Sequence, residues 1–202
     1  MADALLNLLT WFSPAFPTGG FAYSAGLEWA VEQGIVNNEP SLIAWLEDSL
    51  ALGALWNDAV LFRRTHAGED LANLALALCP SAERRLETTA QGEAFAAAAA
   101  AWGGTAPAPY PIASAQLTAA HDIPVRDALL AYLHAGIANQ ISAAIRLIPL
   151  GQSAGLRVLK ALEPAIGATV EQSARLELGT ASWAADIAGQ NHETQYTRLF
   201  RT

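Results

Sequence analysis

Cysteine is almost missing from this chain. Cys79 stands alone among 202 residues, so no disulfide can close within it, and that usage fits a reducing, cytoplasmic compartment. Cys79 precedes Pro80 in an apolar setting, where a small core residue is the ordinary role of a thiol. Cations are scarce too: 11 Lys and Arg stand against 19 Asp and Glu, for a net charge of −8, with no basic cluster. Nucleic acid and anionic membrane surfaces are therefore poor electrostatic partners. No apolar run approaches the ~18 residues that cross a bilayer. Asp3 and the lack of a basic segment at the start argue against a secretory signal. Charged residues make up only 15% against 52% hydrophobic ones. A surface so short of charge points to apolar area covered by a partner.

Strand signals are nearly absent as well. β-Branched residues are sparse, alanine is abundant, and no hairpin dipeptide sits between alternating runs. The spacing predicts helices at roughly 3–12, 20–33, 41–66 (kinked at Gly53), 69–79, 81–102, 111–120, 124–148, 152–162, 164–177 and 181–189. Ser81 is a cap residue, and Gly103–Gly104 closes the helix it opens. "GGTAPAPYP" reads as a surface connection. The expectation is an all-α, single-domain bundle of nine to ten helices over 1–190, with an extended partner-docking tail at 191–202.

In the helix at 124–148, Leu130, Leu133, Ile137, Ile141, Ala144 and Ile148 share a core stripe at 100° per residue. Ala128, Ala135, Asn139, Ser142 and Arg146 lie opposite. Small residues with interspersed polar groups there suit a close partner or dimer contact, and a mixed solvent face fits equally. Arg146 near the helix end also complements the helix dipole.

The stretch "FPTGGFAYSAGLEWAVEQG", residues 16–34, admits three chemistries. A phosphate loop needs G-x-x-x-x-G-K-[ST], but the glycine spacing is wrong and no lysine precedes Lys160. A serine hydrolase elbow at Ser24 needs a strand before it, and "SPAFPTGG" cannot supply a central strand. His121, His134 and His192 are the bases such a triad would use, and His134 falls on an apolar stripe where a core role is the plainer one. A helix start fits best, with Tyr23, Leu27, Ala30 and Val31 on one side. Glu28 and Glu32 lie off that stripe as an acidic pair, suited to a basic partner or to a plain solvated face.

"HETQY" at 192–196 is half of an H-E-x-x-H zinc motif, with Tyr196 where the second His belongs. A self-contained metal site is not expected; a transient or symmetry-related site using His192 or Cys79 from two subunits is the metal-binding alternative. Arg198 and Arg201 bracket Leu199 and Phe200, a combination that anchors interfaces. Such a tail either docks on its own core or waits for a partner.

Three segments together resemble the urease accessory protein UreF family: "SPAFPTGGFAYSAGLE", "RLIPLGQ" at 146–152, and "HETQYTRLFRT" at the end. The family's middle R-E-x-x-E-L-R run is replaced here by "RRLETTAQGEAF". The resemblance implies an all-helical, non-catalytic homodimer that joins the UreD/UreH subunit and the GTPase UreG in delivering nickel to apo-urease, with no cofactor of its own. It implies partner contacts at Glu28 and Arg146, with Tyr23, Ser24, Gly151 and Gln152 shaping that region. It implies a docking tail of His192, Glu193, Gln195, Tyr196, Arg198, Leu199, Phe200 and Arg201. Arg146 is not expected to act as an arginine finger, because its helix neighbours are small and packed.

Overall fold

The computed structural model describes residues 2–175 and 177–202. Among them the chain forms ten α-helices and no strand. They are α1 (Ala2–Trp11), α2 (Leu27–Glu32), α3 (Glu39–Leu52), α4 (Ala54–His66), α5 (Ala72–Ala77), α6 (Ala82–Ala98), α7 (Tyr110–Ala120), α8 (Val125–Leu147), α9 (Gly151–Gln172) and α10 (Trp183–His192). The all-α expectation holds.

α8 is the axis of the bundle. It pairs with α9 across a short connection and also touches α1, α2, α4 and α7. Leu133, Ile137, Ile141, Ala144 and Ile148 are buried as the periodicity predicts, while Leu130 is half-buried. Because neighbours surround α8, burial extends to Ala128, Leu129 and Ala143 on its other sides. His134, expected on the core stripe, is exposed instead. α8 is long and apolar enough to cross a bilayer, which no uninterrupted run in the sequence suggested. Half of its most apolar stretch is buried inside the bundle, so that apolarity serves the core. The α8–α9 pair is tight at Gly155, where a Cβ would lie 2.5 Å from Ile145 Cδ1.

Local signals set several helix ends. Asn38 accepts from Ser41 N at 3.0 Å and Ser41 Oγ accepts from Asn38 N at 3.1 Å, a reciprocal cap at the start of α3. Ser81 accepts from Arg84 N at 3.0 Å and opens α6. Gly53 is extended, and it separates α3 from α4 where a kink was expected.

Three expectations fail. The helix at 20–33 is a 3-10 turn at Gly20–Ala22, a loop, and then α2. Gly19 and Gly26 have φ of 74° and 79°, left-handed values that interrupt a continuous helix. Tyr23 and Leu27 are both buried but do not lie on one helix. The two helices expected at 152–162 and 164–177 are one, running through Pro164 to Gln172, followed by a 3-10 turn at Ser173–Arg175. Leu176, in the range expected to be helical, lies outside the described residues. A continuous buried face of Val158, Leu162, Ile166 and Val170 offsets the roughly 3 kcal/mol that an interior proline costs a helix. Lastly, α10 runs to His192 rather than stopping near 189.

Candidate partner-docking site

The last ten residues do not extend away. They fold back over a groove formed by α2 and the first turn of α6, with α10 packed against both helices. Gly26 makes this approach feasible: a Cβ there would sit 2.8 Å from Gly189 N on α10.

Two carboxylates hold the segment. Glu28 on α2 accepts the Leu199 N–H at 2.6 Å on Oε1 and the Phe200 N–H at 2.9 Å on Oε2. Glu83 on α6 accepts Arg198 Nη1 at 2.8 Å on Oε1. His192 stands between them with no solvent exposure, its Nδ1 2.7 Å from Glu83 Oε2 and its Nε2 3.1 Å from Glu28 Oε2. A third carboxylate, Glu193, accepts the Ala82 N–H at 2.7 Å. It places negative charge at the α6 N-terminus, where the dipole favours it. Hydrogen bonds to charged acceptors contribute about 1.5–3 kcal/mol each when buried, so this set dominates the docking.

The end of the chain closes on the 20–26 loop. Arg201 N donates to Ala22 O at 2.8 Å. Ser24 donates through both N and Oγ, each at 2.6 Å, to the main-chain oxygen of Thr202. Ser24 Oγ also accepts from Glu28 N at 3.3 Å. Phe200 is buried beneath this loop, and the Arg146 guanidinium carbon lies 4.2 Å from its ring centroid and 3.7 Å from that of Phe21. Arg146 also donates to Phe21 O at 2.9 Å and Ser142 O at 3.2 Å, and partial burial lowers its pKa from the ordinary value. The Arg201 guanidinium lies 6.0 Å from the ring centroid of Tyr23.

Most residues singled out in the sequence therefore meet in one place. Tyr23, Ser24, Glu28, Arg146, His192, Arg198, Phe200 and Arg201 lie along one connected set of contacts that also runs through Glu83 and Thr202, and Glu193 is bonded beside it to Ala82 N. Gly151 and Gln152 sit apart and exposed at the start of α9. Gln195, half-buried, donates to Thr197 O at 3.2 Å, whereas Tyr196 and Leu199 point outward and are exposed. Glu28 corrects an expectation: it is buried rather than on a solvated flank beside Glu32, and its first partners are the chain's own amides. Glu83 was not anticipated. Its only local signal is an acidic residue in the first turn after the Ser81 cap.

The catalytic alternative fails at Ser24. Its hydroxyl is fully buried and donates to a main-chain oxygen rather than to an imidazole. Burial raises the Cys79 thiol pKa, which suits its half-buried packing role. Among the described residues, no group of three His, Cys, Asp or Glu side chains is arranged to hold a metal ion; Glu28, His192 and Glu83 converge, but on one another and on the chain end.

A second polar cluster lies inside the body. Asp58 Oδ2 accepts from Arg84 at 2.6 Å and from Tyr132 at 2.8 Å, and Glu87 accepts from Gln91 at 3.0 Å. These groups border a cavity of about 1090 Å3 that reaches α1 and α8. Burial pushes the Glu87 carboxyl up despite the neighbouring Arg84, and Glu87 Oε2 has no hydrogen-bond partner.

An all-helical body that binds its own chain end, with its one candidate nucleophile tied to the backbone, defines a protein built for binding. The chain belongs to the UreF family, whose model matches residues 36–163. It is 48% identical to the urease accessory protein UreF of Bradyrhizobium diazoefficiens, over the whole of this chain and 93% of that relative. It is likewise 48% identical to the UreF of Cereibacter sphaeroides strain ATCC 17029, with both chains fully covered. The UreF of Rhodopseudomonas palustris strain BisA53 is 45% identical, over the whole of this chain and 94% of its own.

Proposed function

We propose that this chain is a non-catalytic adaptor of urease maturation. As a cytoplasmic homodimer, it joins the UreD/UreH subunit and the GTPase UreG so that nickel reaches apo-urease. The observation that carries this reading is the division of labour in the tail. Its backbone and basic groups are held by Glu28 and Glu83, while Tyr196 and Leu199 face outward. Trp183 and Ile187 of α10 are also exposed, at 72% and 50%, beside that segment. Large apolar and aromatic side chains presented on a fixed backbone are what a docking partner buries.

In this reading Tyr196, Leu199 and the α10 side chains meet the docking subunit. Tyr23, Ser24, Glu28, His192, Glu193, Gln195, Arg198, Phe200 and Arg201 set the shape of that surface. Arg146, Gly151 and Gln152 border the GTPase face. Arg146 acts there by holding Phe21 and Phe200 in place, because its planar group is covered by both rings and its Nε and Nη2 already donate to Ser142 O and Phe21 O. Coupling to a GTPase requires the adaptor to bind one nucleotide state more tightly than the other.

Co-purification with the other accessory subunits tests this. Leu199→Asp is expected to reduce recovery of the UreD/UreH subunit at least tenfold, since it places a charge in an apolar contact, while circular dichroism stays unchanged. Retention of every partner by that variant, or a wild-type chain recovered alone at low salt, would overturn the reading.

A further inference from the structure

We propose that the cavity beside α6 binds a small organic ammonium, a protonated amine seated on Glu87 with its apolar body among aromatic rings. The cavity, of about 1090 Å3, has a polar inner end and an apolar remainder. At the inner end Asp58, Glu87 and Gln91 are buried, with the Tyr110 and Tyr132 rings beside them. Trp11, Phe12, Phe16 and Leu55 are buried along its apolar wall. Leu5, Leu9 and His134 are exposed and mark its mouth between α1 and α8. An apolar hollow with a few convergent polar groups is the general form of a small-molecule site.

Glu87 decides the charge of the ligand. Its side chain is only 8% exposed, and its Oε1 accepts from Gln91 Nε2 at 3.0 Å. Its Oε2 has no hydrogen-bond donor from the protein. Arg84 Nη1 stays 3.4 Å from that oxygen, because the same guanidinium donates to Asp58 Oδ2 at 2.6 Å. Tyr132 also donates to Asp58 rather than to Glu87. Two carboxylates therefore share one cation, and one carboxylate oxygen on the cavity wall lacks a donor. Burial works against the Glu87 anion and raises its pKa; Arg84 opposes the rise and Asp58 adds to it. An ammonium N–H supplies the missing hydrogen bond and the missing positive charge together.

A bare divalent ion fits this end less well. Among the described residues no third His, Cys, Asp or Glu completes a metal-binding group with Asp58 and Glu87, and the Arg84 cation already contacts both. Aromatic walls offer a metal ion no ligand, whereas they bury a hydrocarbon body and attract an ammonium through their ring faces. None of these residues belongs to the partner surface assigned above, so the ligand site and the adaptor reading stand or fall separately.

Titration of the full chain with phenethylammonium chloride at neutral pH, followed by NMR, tests the proposal. The Gln91 side-chain amide and the Tyr132 ring should shift saturably with a Kd of about 1 mM, within reach of a ligand this small. Phenyl protons of the ligand should show Overhauser contacts to the Phe12 and Tyr132 rings. 2-Phenylethanol has the same body without the charge and should bind about tenfold more weakly. Ammonium chloride, which has the charge without the body, should give no saturable shift at the same concentrations. Glu87→Gln keeps an acceptor for Gln91 and removes only the charge. It should weaken the amine to the level of the alcohol and leave the alcohol unchanged, with circular dichroism confirming the fold. Equal affinity of wild type for amine and alcohol, saturation by ammonium chloride, or undiminished amine binding in Glu87→Gln overturns the proposal. So does a cavity that shows only water beside the Gln91 amide and no contact with the amine.

Discussion

At the scale of single residues, the docking groove depends on side chains whose role is to satisfy backbone. Ser24 is the clearest case. Its hydroxyl and N–H both bond the Thr202 oxygen, and the hydroxyl also receives Glu28 N. Ser24→Ala removes the hydroxyl's part in this and leaves a buried acceptor short of a donor, a loss of about 1–3 kcal/mol. The expected readout is lower protection at the chain end and a reduced midpoint in urea, with helix content retained. Ser24 was singled out in the sequence for the wrong chemistry. A serine between alanine and tyrosine looks like a nucleophile elbow until the residue it bonds, 178 positions away, is known. Resemblance put Glu28 and Arg146 in one region, and in the fold both lie against Phe200. Their partners Phe21, Phe200 and Leu199 become visible only when the chain is folded.

At the scale of elements, helix existence was legible and helix continuity was not. The caps at Asn38 and Ser81 and the break at Gly53 are local events, and the sequence shows them. Residues 20–33 and 151–172 reversed the expectation because tertiary packing overrode local preference. Two left-handed glycines bring the 20–26 loop against α10, and a buried stripe carries α9 through Pro164. Pro164 is exposed and replaceable. Pro164→Ala is expected to stabilise the protein by about 2 kcal/mol: roughly 3 gained in helix propensity, less under 1 from the freer unfolded chain. Equilibrium denaturation measures this directly. A loss of stability would mean that the proline ring itself packs usefully.

At the scale of the whole molecule, most of the scarce charged side chains lie on the surface, and a few gather in two largely buried clusters. One is the Glu28–His192–Glu83–Arg198 seat; the other is Asp58–Arg84–Glu87. The second cluster makes stability depend on pH. Burial raises the Glu87 pKa above its unfolded value, so the native state holds a proton that the unfolded state has lost in between. Stability from this group is present below the unfolded pKa and falls as pH rises towards the folded one. Glu87→Gln should flatten that slope in urea unfolding between pH 4 and 8, with the largest gain over wild type at the alkaline end. Composition signalled few surface charges, and that much was readable. Which charges are buried, and beside whom, was not.

Local pattern alone determined that this is an all-helical chain of the UreF kind, because helix periodicity, caps and the three motifs each depend on residues near one another in sequence. The tertiary structure decided that residues 28, 83 and 192 share one buried seat, and that the chain end fills it. Burial and pairing depend on distance in space, and no spacing along the chain records the distance between three helices that meet only after folding.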